Sequence, residues 1–223
     1  MLALERHFYR SLGPAAVNLV CGNAQSSRRV LREVLIGKVF PDILVGEWPQ
    51  APARIGSRRL TVIECALLHS LSVRDATSEE LAVGRWSGLS FSNPALVLFR
   101  LAQEGIVAQT ANDKWHLADG CHLRAVRLTA IEAKLSKIED ALGQALTLRL
   151  FVHRAYVLLD AERVRIDRAV ERSFRRSGVG LLLAHSDSVE LIVDAVETKP
   201  ATFEWVVAAD KLTHAGTRTL RTS

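Results

Sequence analysis

Apolar residues recur along this chain with two periods, and the alternation between them predicts its elements. "LERHFYRSL" has helical spacing and is stopped by Gly13-Pro14. "AVNLV" then reads as a short strand, "SRRVLREVLIG" as a second extended segment and "FPDILVG" as a third. "EWPQAPARIGSRR" gathers Pro, Gly and Arg and reads as a linker. "RLTVIECALLHSLSV" is helical. "TSEELAVGRW" opens on an N-cap at Thr77 or Ser78 with acids in its first turn. "SNPALVLFRLAQEG" runs from an N-cap and a first-turn Pro to a C-cap Gly. "IVAQTANDKWHLA" is two short β-rich runs about an Asn-Asp turn.

Beyond these, residues 124–135 read as a strand, and Ser136 with Glu139 reads as a capping box opening a helix to about residue 152. "RAYVLLD" is a buried-type strand, "AERVRIDRAVERSFRR" a helix, and "GVGLLLAHSDSVELIVDAV" two strands about a Ser-Asp turn. The expected class is α/β, a central mixed sheet flanked by helices. The three helices and hairpin over roughly residues 58–119 resemble a winged helix-turn-helix. This divides the chain into 1–50, an inserted module at 51–120, and 121–223.

Composition narrows the class. Of 223 residues, 48% are hydrophobic and 24% charged, which is enough to build a core and argues against disorder. The longest apolar runs, such as "GVGLLLA", fall far short of a membrane span, so no membrane partner is expected. Glu5 and Arg6 interrupt the N-terminus, so no signal peptide is read. Cys21, Cys65 and Cys121 lack zinc spacing and read as reduced thiols of a cytoplasmic protein. A formal charge of +5 and a pI near 9.4 permit a polyanionic partner.

The chemistry concentrates in "RLTAIEAKLSKIEDALGQAL". On a strand, Ala130, Glu132 and Lys134 share a face with apolar Val126 and Leu128 upstream, so the charges emerge as the strand leaves the core. A buried carboxylate there needs a cation or a metal. Taken alone, E-x-K is also the mark of an internal ion pair, and "VETK" at Glu197 and Lys199 shows how easily the tripeptide arises. With its surroundings, the stretch resembles the core of the PD-(D/E)xK nuclease superfamily, the restriction-endonuclease-like fold. That pattern sets an acid on one strand, D/E-x-K on its neighbour, and then a helix. Here "FPDILV" supplies Pro41-Asp42, "IEAK" supplies Glu132 and Lys134, Glu5 matches the acid of the first helix, and Gln144 matches the Gln of the following one. "VETK" is read as having no capped helix or downstream sheet after it and is set aside. The two halves of the motif normally lie close together in sequence. Here the winged-helix segment fills the gap, as an insertion at an exposed loop would. Some branches place a Tyr four residues beyond the helix Gln, where this chain has Leu148.

The resemblance implies a nuclease acting on DNA. Asp42, Glu132 and the Ala133 carbonyl would hold Mg²⁺ or Mn²⁺ through oxygen. Lys134 would stabilise the charge that develops on the phosphate. Glu5 and Gln144 would complete the site. Arg58 and Arg59 of the linker, Arg100 and Lys114 of the module, and Arg168 and Arg172 on the "AERVRIDRAVERSFRR" helix are the candidates for phosphate contact, with Arg54, Arg85, Arg165 and Arg176 beside them. The presumed recognition helix offers Arg100 alone as a cation, so the module could dock nucleic acid, a protein partner or a second copy. The alternative to catalysis is a DNA-binding or regulatory protein that keeps a nuclease-like scaffold.

Overall fold

A computed structural model describes residues 2–21, 27–49, 55, 58–83, 93–121, 123 and 126–215, with side chains of the first helix described from Arg10 onward. The elements in chain order are α1 (Leu2–Cys21), β1 (Ser27–Arg32), β2 (Ile43–Trp48), α2 (Val62–Val73), α3 (Ser78–Val83), α4 (Pro94–Gln103), β3 (Val107–Gln109) and β4 (Trp115–Leu117). There follow β5 (Arg127–Lys134), α5 (Ile138–Leu148), β6 (Arg154–Asp160), α6 (Arg168–Ser177), β7 (Gly180–Ala184), β8 (Val189–Val193) and α7 (Glu204–His214). Six strands form one mixed sheet in the order β1-β2-β5-β6-β7-β8, and β3 with β4 forms a separate hairpin. The β5-β6 and β6-β7 pairs are parallel, crossed over by α5 and α6, while the outer pairs are antiparallel. The chain is therefore the mixed α/β protein its pattern predicts. Among the described residues no helix is long and apolar enough to cross a membrane.

Side-chain alternation splits the core between two faces of the sheet. Ile43 and Val45, Ile131 and Ala133, Tyr156 and Leu158 pack on one face with Ala16, Val17 and Val20 of α1. On the other, Val157, Leu159 and Leu181 meet Ala141 and Ala145 of α5 and Phe174 of α6. Further along that second face, Leu44, Leu128 and Ala130 join a cluster running through α7 into the helices and hairpin of residues 58–119.

Several local expectations are corrected. α1 does not stop at Gly13-Pro14, and residues 16–20 are helical rather than a strand. Pro14 removes one intrahelical hydrogen bond, but the apolar residues after it fit only a helical face. Gly13 marks a close approach instead of a stop: a Cβ there would lie 2.8 Å from Ile43 Cδ1. The helix ends where the guanidinium groups of Arg154 and Arg28 donate to the Val20 and Cys21 carbonyls at 3.0 and 2.6 Å. Glu47 ties both arginines together. β1 ends at Arg32 because Glu33 takes a positive φ of 49°.

The Ser136–Glu139 capping box does not form. Lys137 occupies the N-cap of α5 without a side-chain cap bond, which puts the expected pair one residue out of frame, and the helix ends at Leu148. α6 begins only at Arg168, because Asp167 accepts from the N–H groups of Ala169 and Val170 at 2.8 and 2.9 Å and is itself extended. Arg165 thus lies outside that helix. Finally, among the described residues "VETK" is followed by no capped helix and no further strand, as expected, but a helix not read in the sequence does follow it: α7, whose N-cap Phe203 makes no side-chain cap bond.

Candidate functional site

β2 and β5 are neighbours, and their antiparallel register pairs Ile43 with Ile131. One step further, Asp42 stands opposite Glu132. The Asp42 backbone is fixed by the Glu33 N–H, which donates to its carbonyl at 3.1 Å. Its side chain is fixed by the Ala133 N–H, which donates to Oδ2 at 2.8 Å. Pro41 explains why a side chain takes that place. Opposite Ala133 the ladder would need a backbone donor, and proline has none to give the Ala133 carbonyl. Thus Pro-Asp ends the strand pairing and turns a carboxylate toward β5.

Glu132 is 4% exposed at the end of β5. Lys134, on the same face, places its Nζ 2.8 Å from Glu132 Oε1, so the buried carboxylate has the cation its burial requires. Gln144 of α5 shares with Glu132 a cavity of about 250 Å³, lined further by Lys38, Val39, Phe40, Thr147 and Leu148. Asp42, Glu132, Ala133, Lys134 and Gln144 therefore assemble at one end of β5. Glu5 lies on α1, and its side chain is outside the described residues. Nothing in the sequence pattern pointed to Lys38 and Phe40. The usable signal was an aromatic residue directly before Pro-Asp.

The donor set suits a hard divalent cation in kind, since the Asp42 and Glu132 carboxylates and the Ala133 carbonyl all offer oxygen. Among the described residues no group of three or more His, Cys, Asp or Glu side chains converges to hold a metal. A cation here would rest on Asp42, Glu132 and the Ala133 carbonyl.

The basic candidates divide into two groups. Arg58 donates to both oxygens of Glu64 at 2.9 and 2.5 Å, and Arg100 donates to Oε1 at 2.7 Å, so both guanidinium groups serve a buried carboxylate of the module. Arg59, Lys114, Arg168, Arg172 and Arg176 are exposed. Arg54 and Arg85 lie outside the described residues. On α4 the exposed large apolar side chains are Leu96 and Phe99, next to an exposed Arg100. A larger cavity, of about 580 Å³, lies where the end of α2 meets His153, Lys199 and Trp205, and no candidate site residue lines it.

No family model matches this sequence, and no curated protein does. Among solved structures, a protein of unknown function from Silicibacter pomeroyi matches at 22% identity over 43% of this chain, with a TM-score of 0.29. The chain spans 65% of that protein's length. A likeness so slight carries no argument about fold or function.

Proposed function

We propose that this chain is a metal-dependent nuclease that hydrolyses phosphodiester bonds in DNA, built on a restriction-endonuclease-like core over 1–50 and 121–223 with a winged helix inserted at 51–120. The observation that carries the reading is Asp42 held against Ala133, opposite Glu132, although 91 positions separate Asp42 from Ala133 in sequence. An accidental E-x-K would have no reason to meet a Pro-Asp end on the neighbouring strand.

Mg²⁺ or Mn²⁺ bound by Asp42, Glu132 and the Ala133 carbonyl would neutralise phosphate charge and make a nearby water more acidic. The chain's own groups do the rest. Lys134 offers an ammonium beside the reacting phosphate, where it favours the more highly charged transition state over the ground state. Its pairing with Glu132 holds it in place before substrate arrives. Gln144 reaches the same cavity and can donate to a phosphate oxygen or to a water. Arg59, Lys114, Arg168 and Arg172 remain the candidates for backbone contact outside the site. Arg58 and Arg100 belong first to Glu64. Leu96 and Phe99, exposed on α4 with Arg100 as its one cation, favour a protein contact or a second copy as the module's partner over base readout.

An ion pair between Glu132 and Lys134 also suits a purely structural role, which favours one second reading, a non-catalytic DNA-binding protein on the same scaffold. The two separate in a cleavage assay of the full chain on duplex, single-stranded and branched DNA, with RNA alongside, in Mg²⁺, in Mn²⁺ and in EDTA. The nuclease reading expects DNA cleavage in metal and none in EDTA. DNA that is bound but left intact under every condition would leave the scaffold reading in its place.

A further inference from the structure

The connection between β1 and β2 ends in a tip whose position is held from three sides. Ile36 and Val39 exchange backbone hydrogen bonds at 2.9 and 3.0 Å around Gly37-Lys38, with Gly37 at a φ of +59°. Lys211 of α7 donates to the Leu35 carbonyl at 2.7 Å. Gly37 itself rests on Glu204, so close that a Cβ would lie 3.1 Å from its Cγ. This tip presents Lys38 and Phe40 to the cavity that contains Glu132 and Gln144. Phe40 is 61% exposed.

A single exposed apolar side chain is ordinary on a protein surface. An exposed phenyl ring on a fixed support, two positions from a lysine and beside a buried carboxylate, is a more specific arrangement. An aromatic face and a cation lining one cavity match a nucleotide: a base of any sequence has a π-face, and its phosphate is anionic. A closed duplex keeps its base faces stacked on each other, and only an unpaired or terminal base can offer one to Phe40.

We propose that Phe40 and Lys38 form a base-stacking subsite for an unpaired nucleotide, so that this end of β5 takes single-stranded, frayed or branched DNA in preference to closed duplex. The subsite deepens the nuclease reading in its choice of substrate. The binding it requires stands without cleavage, and the test separates the two.

The full chain and its Phe40→Ala, Phe40→Trp and Lys38→Ala variants are titrated in EDTA against a short DNA strand carrying 2-aminopurine, and against the same strand annealed to its complement. Unchanged melting temperatures check that the exposed substitutions leave the fold alone. The wild-type chain is expected to favour the single strand and to quench 2-aminopurine. Phe40→Ala should weaken single-strand binding by about tenfold, within the range of one lost base stack, while duplex binding is unmoved. Phe40→Trp should restore the affinity, and Lys38→Ala should weaken it with the quenching retained. Equal losses on single strand and duplex, no loss in Phe40→Ala, or no binding by the wild-type chain would each overturn the subsite. Cleavage of the same strands in Mg²⁺ is read separately. A wild-type chain that binds through Phe40 and does not cut removes the nuclease reading and leaves the subsite. A wild-type chain that cuts, with Phe40→Ala unchanged in preference, does the reverse.

Discussion

Glu64 sits on the first turn of α2 with no exposed surface, and two guanidinium groups and a backbone N–H converge on its carboxylate. Burial alone would raise its pKa, yet the Arg58 hydrogen bonds and the Thr61 N–H outweigh that and hold it at about 2, against 4.5 for an ordinary glutamate. A folded-state pKa below the unfolded value gives stability that is fully present above pH 4.5 and lost as pH falls toward 2. Glu64→Gln should therefore destabilise the chain by about 2 kcal/mol near neutrality, a charge-assisted network broken with both arginines still partly hydrated. It should also flatten the acid limb. Urea unfolding at a series of pH values checks both, and an acid limb as steep as that of the wild type would remove Glu64 as its source. The same geometry sets the expectation for Arg58→Ala, which should lower stability before it lowers any affinity for DNA.

At the scale of elements, α7 organises the second face of the sheet. Its Trp205 packs against α2 and donates from Nε1 to Nδ1 of the buried His69 at 2.8 Å. Its Leu212 lies over Gly46 of β2, where a Cβ would come 2.9 Å from Leu212 Cδ1 and 2.5 Å from the Trp48 ring. Trp205→Ala should cost about 3–5 kcal/mol, the range for deleting a large buried aromatic, and Gly46→Ala about 1–3 kcal/mol by overpacking. Thermal unfolding of each variant measures these, and a near-neutral Trp205→Ala would mean that α7 is not the keystone of this face. The contrast with other helices shows what the sequence makes legible. α3 and α4 begin with side-chain oxygens, Thr77 and Asn93, that accept from Glu80 and Leu96 N–H groups, and both starts are readable from residue types alone. α7 begins without such a cap, and α5 begins one residue away from a plausible but unformed one. In α1 a proline imitates a terminator, because its lost bond is local whereas the apolar face that carries the helix onward declares itself only against the sheet.

Across the whole molecule, the alternation of strands and helices is legible because each strand's burial pattern is written in its own residues. The approach of Asp42 to Ala133 is not, since it depends on β2 and β5 becoming neighbours across the intervening module, and a family resemblance alone suggested it. The tip that carries Phe40 was hidden for a similar reason: its support comes from α7, at the other end of the chain. The module is packed into the rest of the molecule. Its helices share one apolar cluster with α7, Leu44 and Leu128. Replacing residues 52–119 by a short Gly-Ser bridge should therefore strip the cover from Trp205 and Val206 and abolish cooperative unfolding. A sharp transition in that shortened chain would show that the core stands without the module. The central claim is the shared chemistry of Asp42 and Lys134 at the end of β5. Its most direct test is single-turnover cleavage in Mg²⁺ by the wild-type, Asp42→Asn and Lys134→Ala chains, on whichever DNA the wild type cuts best, with binding followed alongside. Both variants should lose about a hundredfold or more in rate and bind within about twofold of the wild type, because affinity rests mainly on phosphate contacts elsewhere. Cleavage by either variant at the wild-type rate, or no cleavage by the wild type on any DNA, would contradict it.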